Sequence, residues 1–398
     1  MSSADYQGHR GISRAMTLLF AVSGGAAVGN LYWAQPLLAD IALTFRVPVG
    51  SAGVLITMTQ IGYAVGILLL VPLGDTLKRR RLIPAIMVCS SVALLACAFA
   101  PSFAAMLAAL CCVGLTTVAG QILTPLAGDL AKPEERGRVV GTVVSGLISG
   151  ILLSRTVSGF LADAFGWRSV YLVAGAAIIV LAAILSRVLP GEVPRPKVAY
   201  ISLIRSVFTV VARHRAAQAT LAIGATMFAV FSMFWTGLTF LLSSPPFAYS
   251  VSQIGLVGLV GLAGAMAAQR AGWLHDRGWS VPATGATLGL GLVSVIIAGF
   301  GSASIYLVLI AVLILDVAVQ ATNLLSQTRL LSLDPTARSR LNTAFVASNF
   351  VGGAIGSALT GILWEHGGWI LVMSGAGVLV LVALSIWLTQ RKYLVVSK

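Results

Sequence analysis

Two charged residues, Arg155 and Asp316, fall deep inside long apolar runs of the chain. A charge at the centre of a bilayer costs ~3 kcal/mol or more, so a residue kept there is a candidate for function. Asp316 can gain and lose a proton; Arg155 is either its partner or an anchor for an anion. Gln320, Asn323 and Gln327 follow Asp316 at spacings of four, three and four, so all four share one helical face. Asn30, Tyr32, Trp33 and Gln35 in one run and Gln121 in another add amide and aromatic groups, which suit a sugar-like or amphipathic solute. Gln60 is a further polar residue of this kind. The chemistry expected is solute recognition linked to a proton on Asp316. The alternatives are a permanent structural ion pair, or two separate charges that reach to the membrane surface.

Other chemistries find no support. The four histidines, His9, His214, His275 and His366, lie outside the centres of the apolar runs. There is no Walker loop, no nucleophile elbow and no spaced set of zinc ligands. The chain is therefore expected not to be an enzyme, and to need neither a metal nor another cofactor.

The elements that must position these residues are long membrane helices. The chain has 398 residues, of which 58% are hydrophobic and only 10% charged, with a mean hydropathy of +0.96. A soluble domain averages about 25% charged residues. Apolar runs of 18 or more residues recur, and at 1.5 Å per residue each can cross a core of roughly 30 Å. The formal charge of +14 does not point to nucleic acid, because the basic residues sit in short gaps between apolar runs. Cys89, Cys97, Cys111 and Cys112 read as small packing residues inside two of those runs. The first 15 residues are polar, and no cleavable signal segment is expected ahead of the first run.

Twelve spans are expected, near 15–39, 51–73, 82–100, 103–128, 139–163, 167–189, 216–242, 252–274, 280–300, 303–328, 341–364 and 368–389. Of the 26 basic residues, 23 fall on the side that carries both termini. The positive-inside rule then puts the termini in the cytoplasm, and the even number of spans agrees. The expected setting is a bacterial-type inner (plasma) membrane. The longest gap, 190–215, opens with Pro190-Gly191-Glu192-Val193-Pro194. Within it Ile201, Ile204, Val207, Phe208 and Val211 share one helical face, and Ser202, Arg205, Ser206, Thr209 and Arg213 the other. This predicts an amphipathic helix at the cytoplasmic interface. Arg270 and Arg329 lie near span ends and are expected to snorkel.

The chain repeats itself at an offset of 201–202 residues. Ser158-Gly159-Phe160-Leu161-Ala162-Asp163-Ala164-Phe165-Gly166-Trp167 answers to Thr360-Gly361-Ile362-Leu363-Trp364-Glu365-His366-Gly367-Gly368-Trp369. Tyr32-Trp33 answers to Phe234-Trp235, Gln121 to Asn323, and Asp75 to Asp276. An even number of helices per half gives both halves the same orientation. The expected organisation is an N-terminal six-helix bundle (1–189), a cytoplasmic linker (190–215) and a C-terminal six-helix bundle (216–398). The fold class is all-α, a membrane protein of twelve transmembrane helices in two pseudo-symmetric six-helix bundles. Such repeats place a solute site near the midplane, between halves that rock against each other.

Between spans two and three the chain reads Gly74-Asp75-Thr76-Leu77-Lys78-Arg79-Arg80-Arg81. The second half carries Gly272-Trp273-Leu274-His275-Asp276-Arg277-Gly278 at the equivalent place. With the repeat, these paired motifs resemble the major facilitator superfamily over essentially the whole chain. The resemblance implies a gating role for Gly74, Asp75, Arg79, Arg80, Arg81, Gly272, Asp276, Arg277 and Gly278. In such a role the Asp carboxylate makes a contact that breaks when the halves rock; the alternative is a basic cluster that only fixes topology. It also implies that spans one, four, seven and ten line the central cavity. Within the superfamily the chain looks most like twelve-span drug/proton antiporters and sugar-efflux permeases. Gly146-Leu147-Ile148-Ser149-Gly150-Ile151-Leu152-Leu153-Ser154-Arg155 partly matches the antiporter motif, with Ile151 in place of its Pro.

The function expected is proton-coupled efflux of a small drug-like or sugar-like solute by alternating access, by a monomer in the lipid bilayer with no nucleic-acid partner. Proton coupling is expected at Asp316 and Arg155. The substrate cavity is expected to use Asn30, Tyr32, Trp33, Gln35, Gln121, Gln320, Asn323 and Gln327. The alternatives are an uptake permease for a sugar or small metabolite, or a membrane sensor that transports nothing.

Overall fold

A backbone in lipid must satisfy its own hydrogen bonds, and the apolar runs accordingly fold as helices. The computed structural model describes residues 12–191, 199–268, 277 and 279–394, with backbone alone over 262–268. No strand occurs among the described residues.

Span one is broken. Helix α1 (Arg14–Gly29) ends at Asn30, and α2 (Leu38–Phe45) resumes after a tight turn over Gln35–Leu37. Pro36 in that turn has no N–H to continue the helical ladder. Span two runs from a turn at Gly50–Ala52 into α3 (Gly53–Leu69), followed by the short α4 (Leu73–Thr76). Span three is α5 (Arg79–Ala98), and span four is α6 (Phe103–Thr116) with α7 (Ala119–Leu130). Spans five and six are α8 (Arg136–Phe165) and α9 (Trp167–Val188). The linker helix is α10 (Tyr200–Arg213). Spans seven to ten are α11 (Arg215–Ser243), α12 (Val251–Ala268), α13 (Ser280–Phe300) and α14 (Ile305–Leu333).

Spans eleven and twelve form one continuous run, α15 (Arg338–Gln390), bent where Gly367 and Gly368 leave helical geometry. Nine described helices are long and apolar enough to cross a membrane, and α15 holds two spans. The shorter apolar pieces Arg14–Gly29 and Val251–Gly261 belong to two more, in keeping with the twelve expected.

The repeat shows in the backbone as well. Gly166 between spans five and six has φ +79°, and Gly368 between spans eleven and twelve has φ +60°. Only glycine adopts such angles without strain. Each is followed by a buried Trp: Trp167 Nε1 donates to Thr44 Oγ1 at 2.9 Å, and Trp369 Nε1 to the carbonyl of Ala298 at 2.7 Å.

Within the first half α1 lies against α8, α3 against α6 and α5 against α9. Gly25 and Gly150 let α1 and α8 touch backbone to backbone, since a Cβ at Gly150 would collide with the Gly25 carbonyl. The second half packs α11 on α15, and α14 on both α12 and α13. The halves meet along α3–α15 and α8–α12.

Several hydrogen bonds cross between the halves. Ser51 donates to Glu365 Oε1 at 3.3 Å, Thr57 and Ser357 share one at 2.8 Å, and Gln60 Nε2 donates to Ser232 at 3.0 Å. Thr156 donates to the Gly255 carbonyl at 3.2 Å, and the Ser252 N–H to Asp163 Oδ2 at 3.0 Å. All lie at mid-depth or toward the end away from the termini.

The linker helix buries Val207 and Val210 against Leu221, Leu330, Leu341 and Phe345. Ile201 and Phe208, expected on its apolar face, remain 77% and 59% exposed. The helix lies on the rim, so only one edge of that face meets the bundle.

Candidate functional site

The break in span one turns Tyr32 and Gln35 toward α8, where Arg155 reaches across. Arg155 is 3% exposed, and its Nε donates to Gln35 Oε1 at 2.7 Å. The guanidinium lies 4.0 Å from the ring centre of Trp235, 5.1 Å from that of Tyr32 and 5.8 Å from that of Phe231. Such stacking offsets part of the burial cost of a cation. Asp316, on α14, is 4% exposed. The polar groups that act on its carboxylate are the Arg155 guanidinium and the indole N–H of Trp235. The indole N–H falls short of hydrogen-bond geometry and has no other partner.

Arg155 and Asp316 form no ion pair at 4.0 Å or less. Arg155 Nη2 and Asp316 Oδ2 are both buried without a hydrogen bond. Both residues rest on glycines of α12. Gly258 accommodates the Arg155 stem, whose Cδ and Cβ would be 3.3 and 3.4 Å from an added Cβ. At Gly261 a Cβ would collide with Asp316 Oδ2. Five spans thus converge here: one, five, seven, eight and ten.

An aromatic wall continues from Arg155. Trp235 meets Phe231 at 6.2 Å, Phe231 meets Phe228 at 5.5 Å, Phe228 meets Phe350 at 5.0 Å, and Phe350 meets Tyr63 of the other half at 4.4 Å. The Tyr63 hydroxyl accepts from Gln121 Nε2 at 3.2 Å.

The remaining polar residues mostly hold helices together. Asn30 donates to Ser90 at 3.5 Å and accepts from Trp33 Nε1 at 2.8 Å, which ties the span-one break to span three. Asn323 accepts from Asn349 at 3.3 Å, and Gln327 donates to Asn342 at 2.7 Å, joining spans ten and eleven. Gln320 is half-buried.

At the end that carries the termini, Arg79 organises a second cluster. Its Nε donates to the Gly74 carbonyl at 3.0 Å and its Nη1 to Asp129 at 3.0 Å, with Asp75 at 3.5 Å. Arg136 reaches Asp129 at 3.7 Å. The cluster ties the turn after span two to the end of span four and the start of span five. Arg80 and Arg81 are exposed and, with Lys78, Pro84, Ser186 and Gly191, line a cavity of 560 Å³. Arg277 is exposed; Gly272, Asp276, Gly278 and Arg270 lie outside the described residues.

Comparison with known proteins decides the family. The model for the Major Facilitator Superfamily matches residues 16–335. The chain belongs to the major facilitator superfamily. It is a multi-pass membrane transporter, and the superfamily is not one of enzymes. An uncharacterised transporter of Escherichia coli O157:H7, YgaY, is 42% identical over 94% of this chain and 95% of its own. A probable transporter of Streptomyces coelicolor is 30% identical over 92% of this chain and 85% of its own. A crystal structure of a bacterial homologue of the human lysosomal transporter Spinster matches with a TM-score of 0.73, at 16% identity, over 95% of this chain and 97% of that one. At that identity the likeness is one of fold.

Sequence reasoning did not single out Trp235, Phe231 or the glycines of α12 in this superfamily member. The repeat offered one signal, since Trp235 answers to Trp33. Arg329, expected to snorkel, is instead 1% exposed. Its Nη2 donates to the carbonyl and hydroxyl of Ser280 and to Thr284, at 3.1, 2.8 and 3.0 Å, whereas Nε and Nη1 are buried without a partner. The N-terminal turn of α13 packs over its side chain and closes the route to the surface.

Proposed function

We propose that this transporter is proton-coupled and exports a small organic solute by alternating access, with Asp316 carrying the proton and Arg155 as its counter-charge. One observation carries the reading. A buried carboxylate and a buried guanidinium, contributed by opposite halves, face each other without an ion pair, and each keeps an unpartnered polar atom. A permanent structural pair would have closed that gap, because isolated buried charges are costly. A carboxylate that no donor holds is free to take a proton in one state and release it in another.

Residues 1–189 and 216–398 are the units that rock, with 190–215 as the strap between them. The inter-half hydrogen bonds at mid-depth and at the far end support a state closed on the far side. The side bearing 23 of the 26 basic residues supports a cytoplasmic location for both termini in an inner membrane. The Arg79 cluster acts as the gating element of the first half. Its contacts to Asp75 and Asp129 brace the cytoplasmic turn and loosen when the cavity closes on that side.

The test uses purified protein in liposomes with an imposed pH gradient. Asp316→Asn should abolish gradient-driven flux yet keep solute-for-solute exchange at saturating solute. Unchanged dependence on the gradient in that variant would remove Asp316 from the coupling role.

A further inference from the structure

The constellation around Arg155 and Asp316 has a chemical complement. Three donors or acceptors there lack partners: Arg155 Nη2, Trp235 Nε1 and Asp316 Oδ2. Arg155 Nε is already committed to Gln35, so the open edge of its fork is the one formed by the two Nη atoms. That edge matches a carboxylate, which takes two parallel N–H bonds from a guanidinium. The Trp235 indole N–H offers one more donor beside it. Asp316 Oδ2 offers only an acceptor when ionised, and suits an ammonium.

The spacing narrows the class. The guanidinium lies 4.0 Å from the centre of the Trp235 ring, and Asp316 Oδ2 and Trp235 Cζ2 both border the Cβ position of Gly261, so the two charges flank one indole. Charges so placed meet groups of one small molecule, not the two ends of a long chain. Tyr32, Phe231 and Trp235 flank the guanidinium, so the charged pair is bordered by aromatic rings. Tyr32, on span one, is the other titratable group that faces Arg155 among the described residues.

We propose that the site binds an α-amino-acid-like zwitterion with an apolar or aromatic side chain, its carboxylate on Arg155 and Trp235 and its ammonium on Asp316. The identification rests on the reading of Asp316 as the proton-carrying residue. Ammonium and proton then compete for one carboxylate, so solute leaves as the proton enters.

The experiment compares phenylalanine with 3-phenylpropionate, which lacks the ammonium, and phenethylamine, which lacks the carboxylate. Binding is measured by calorimetry on the purified full-length protein, and counterflow in liposomes. Phenylalanine should bind at least about tenfold more tightly than either analogue. Arg155→Gln should erase its advantage over phenethylamine, and Asp316→Asn its advantage over 3-phenylpropionate. The wild-type comparison stands even where a variant folds poorly. The proposal is overturned if either half-charged analogue binds as well as phenylalanine, or if none of the three binds up to about 10 mM. A clear preference for phenylalanine with flux indifferent to the pH gradient would uphold the zwitterion site and remove the proton coupling.

Discussion

Replacing Gly261 by Ala probes the seat of Asp316 with a single methyl group. The new Cβ would fall on Asp316 Oδ2, with Asp316 Cγ and Trp235 Cζ2 each 3.2 Å away. Relief of that overlap requires the carboxylate to move by roughly an ångström, given ordinary contact distances. Two energies oppose each other. Ala in place of Gly favours the helix by about 1 kcal/mol, whereas a methyl forced into a packed site costs about 1–3 kcal/mol. The net destabilisation is therefore about 0–2 kcal/mol. Gly289 supplies the control, since an added Cβ there meets nothing within 4 Å. Gly289→Ala keeps the helix gain without the collision. Thermal denaturation of the purified proteins should then separate the two variants by about 1–3 kcal/mol, the overpacking cost alone. Gradient-driven flux in liposomes should fall in Gly261→Ala and persist in Gly289→Ala. Equal stability and equal flux in the two variants would show that Asp316 does not rest against span eight.

Four further expectations follow from other parts of the structure. Arg79→Ala removes the contacts to Gly74, Asp75 and Asp129 and should lower stability by about 1–3 kcal/mol. Asp75→Asn keeps the shorter Asp129 contact and should cost under about 1 kcal/mol while slowing transport; the order of the two melting temperatures decides. Arg329→Met replaces a buried cation that lacks an ion pair among the described residues, and should leave stability unchanged or raise it, because burying an unpaired charge costs more than burying a thioether. A drop comparable to loss of a buried ion pair would count against that account. Asp334 is held below the usual carboxylate range by hydrogen bonds from the Thr336 hydroxyl and backbone N–H. Its stabilising contribution is therefore present above about pH 3.9, the ordinary Asp value, and lost as pH falls through its lower folded value. Asp334→Asn should lower the melting temperature slightly between pH 5 and 8, where the carboxylate contributes, and should remove the acid-side loss in melts at low pH.

The long apolar runs made the spans legible, because length and composition alone decide whether a helix can cross a bilayer. The charges at Arg155 and Asp316 were legible for the same reason turned round: a costly residue in an apolar run stands out. Trp235 and Phe231 did not stand out. An aromatic ring in a hydrophobic run looks the same whether it meets lipid, core or a guanidinium, and only the crossing of spans one, five and seven distinguishes these. Arg329 was misplaced because its position near a span end suggested a route to water, whereas α13 packs over it. The face that α10 buries was likewise set by span eleven, through Leu341 and Phe345, and not by its own pattern alone. Gly367 and Gly368 showed as a pause between runs, but not that two residues suffice to turn one span into the next.

The hairpins at Gly166 and Gly368 have a mechanical corollary. Spans five and six, and spans eleven and twelve, are connected there with almost no spare chain. A connection without slack cannot serve as a flap, and cannot lengthen to let one helix of a pair slide while the other stays. Each pair is a braced strut, so under the proposed rocking of the halves, opening at the far face would be a lever motion of paired helices. Extra residues spliced in at either hairpin would uncouple the struts, and the damage would appear in turnover before it appeared in folding.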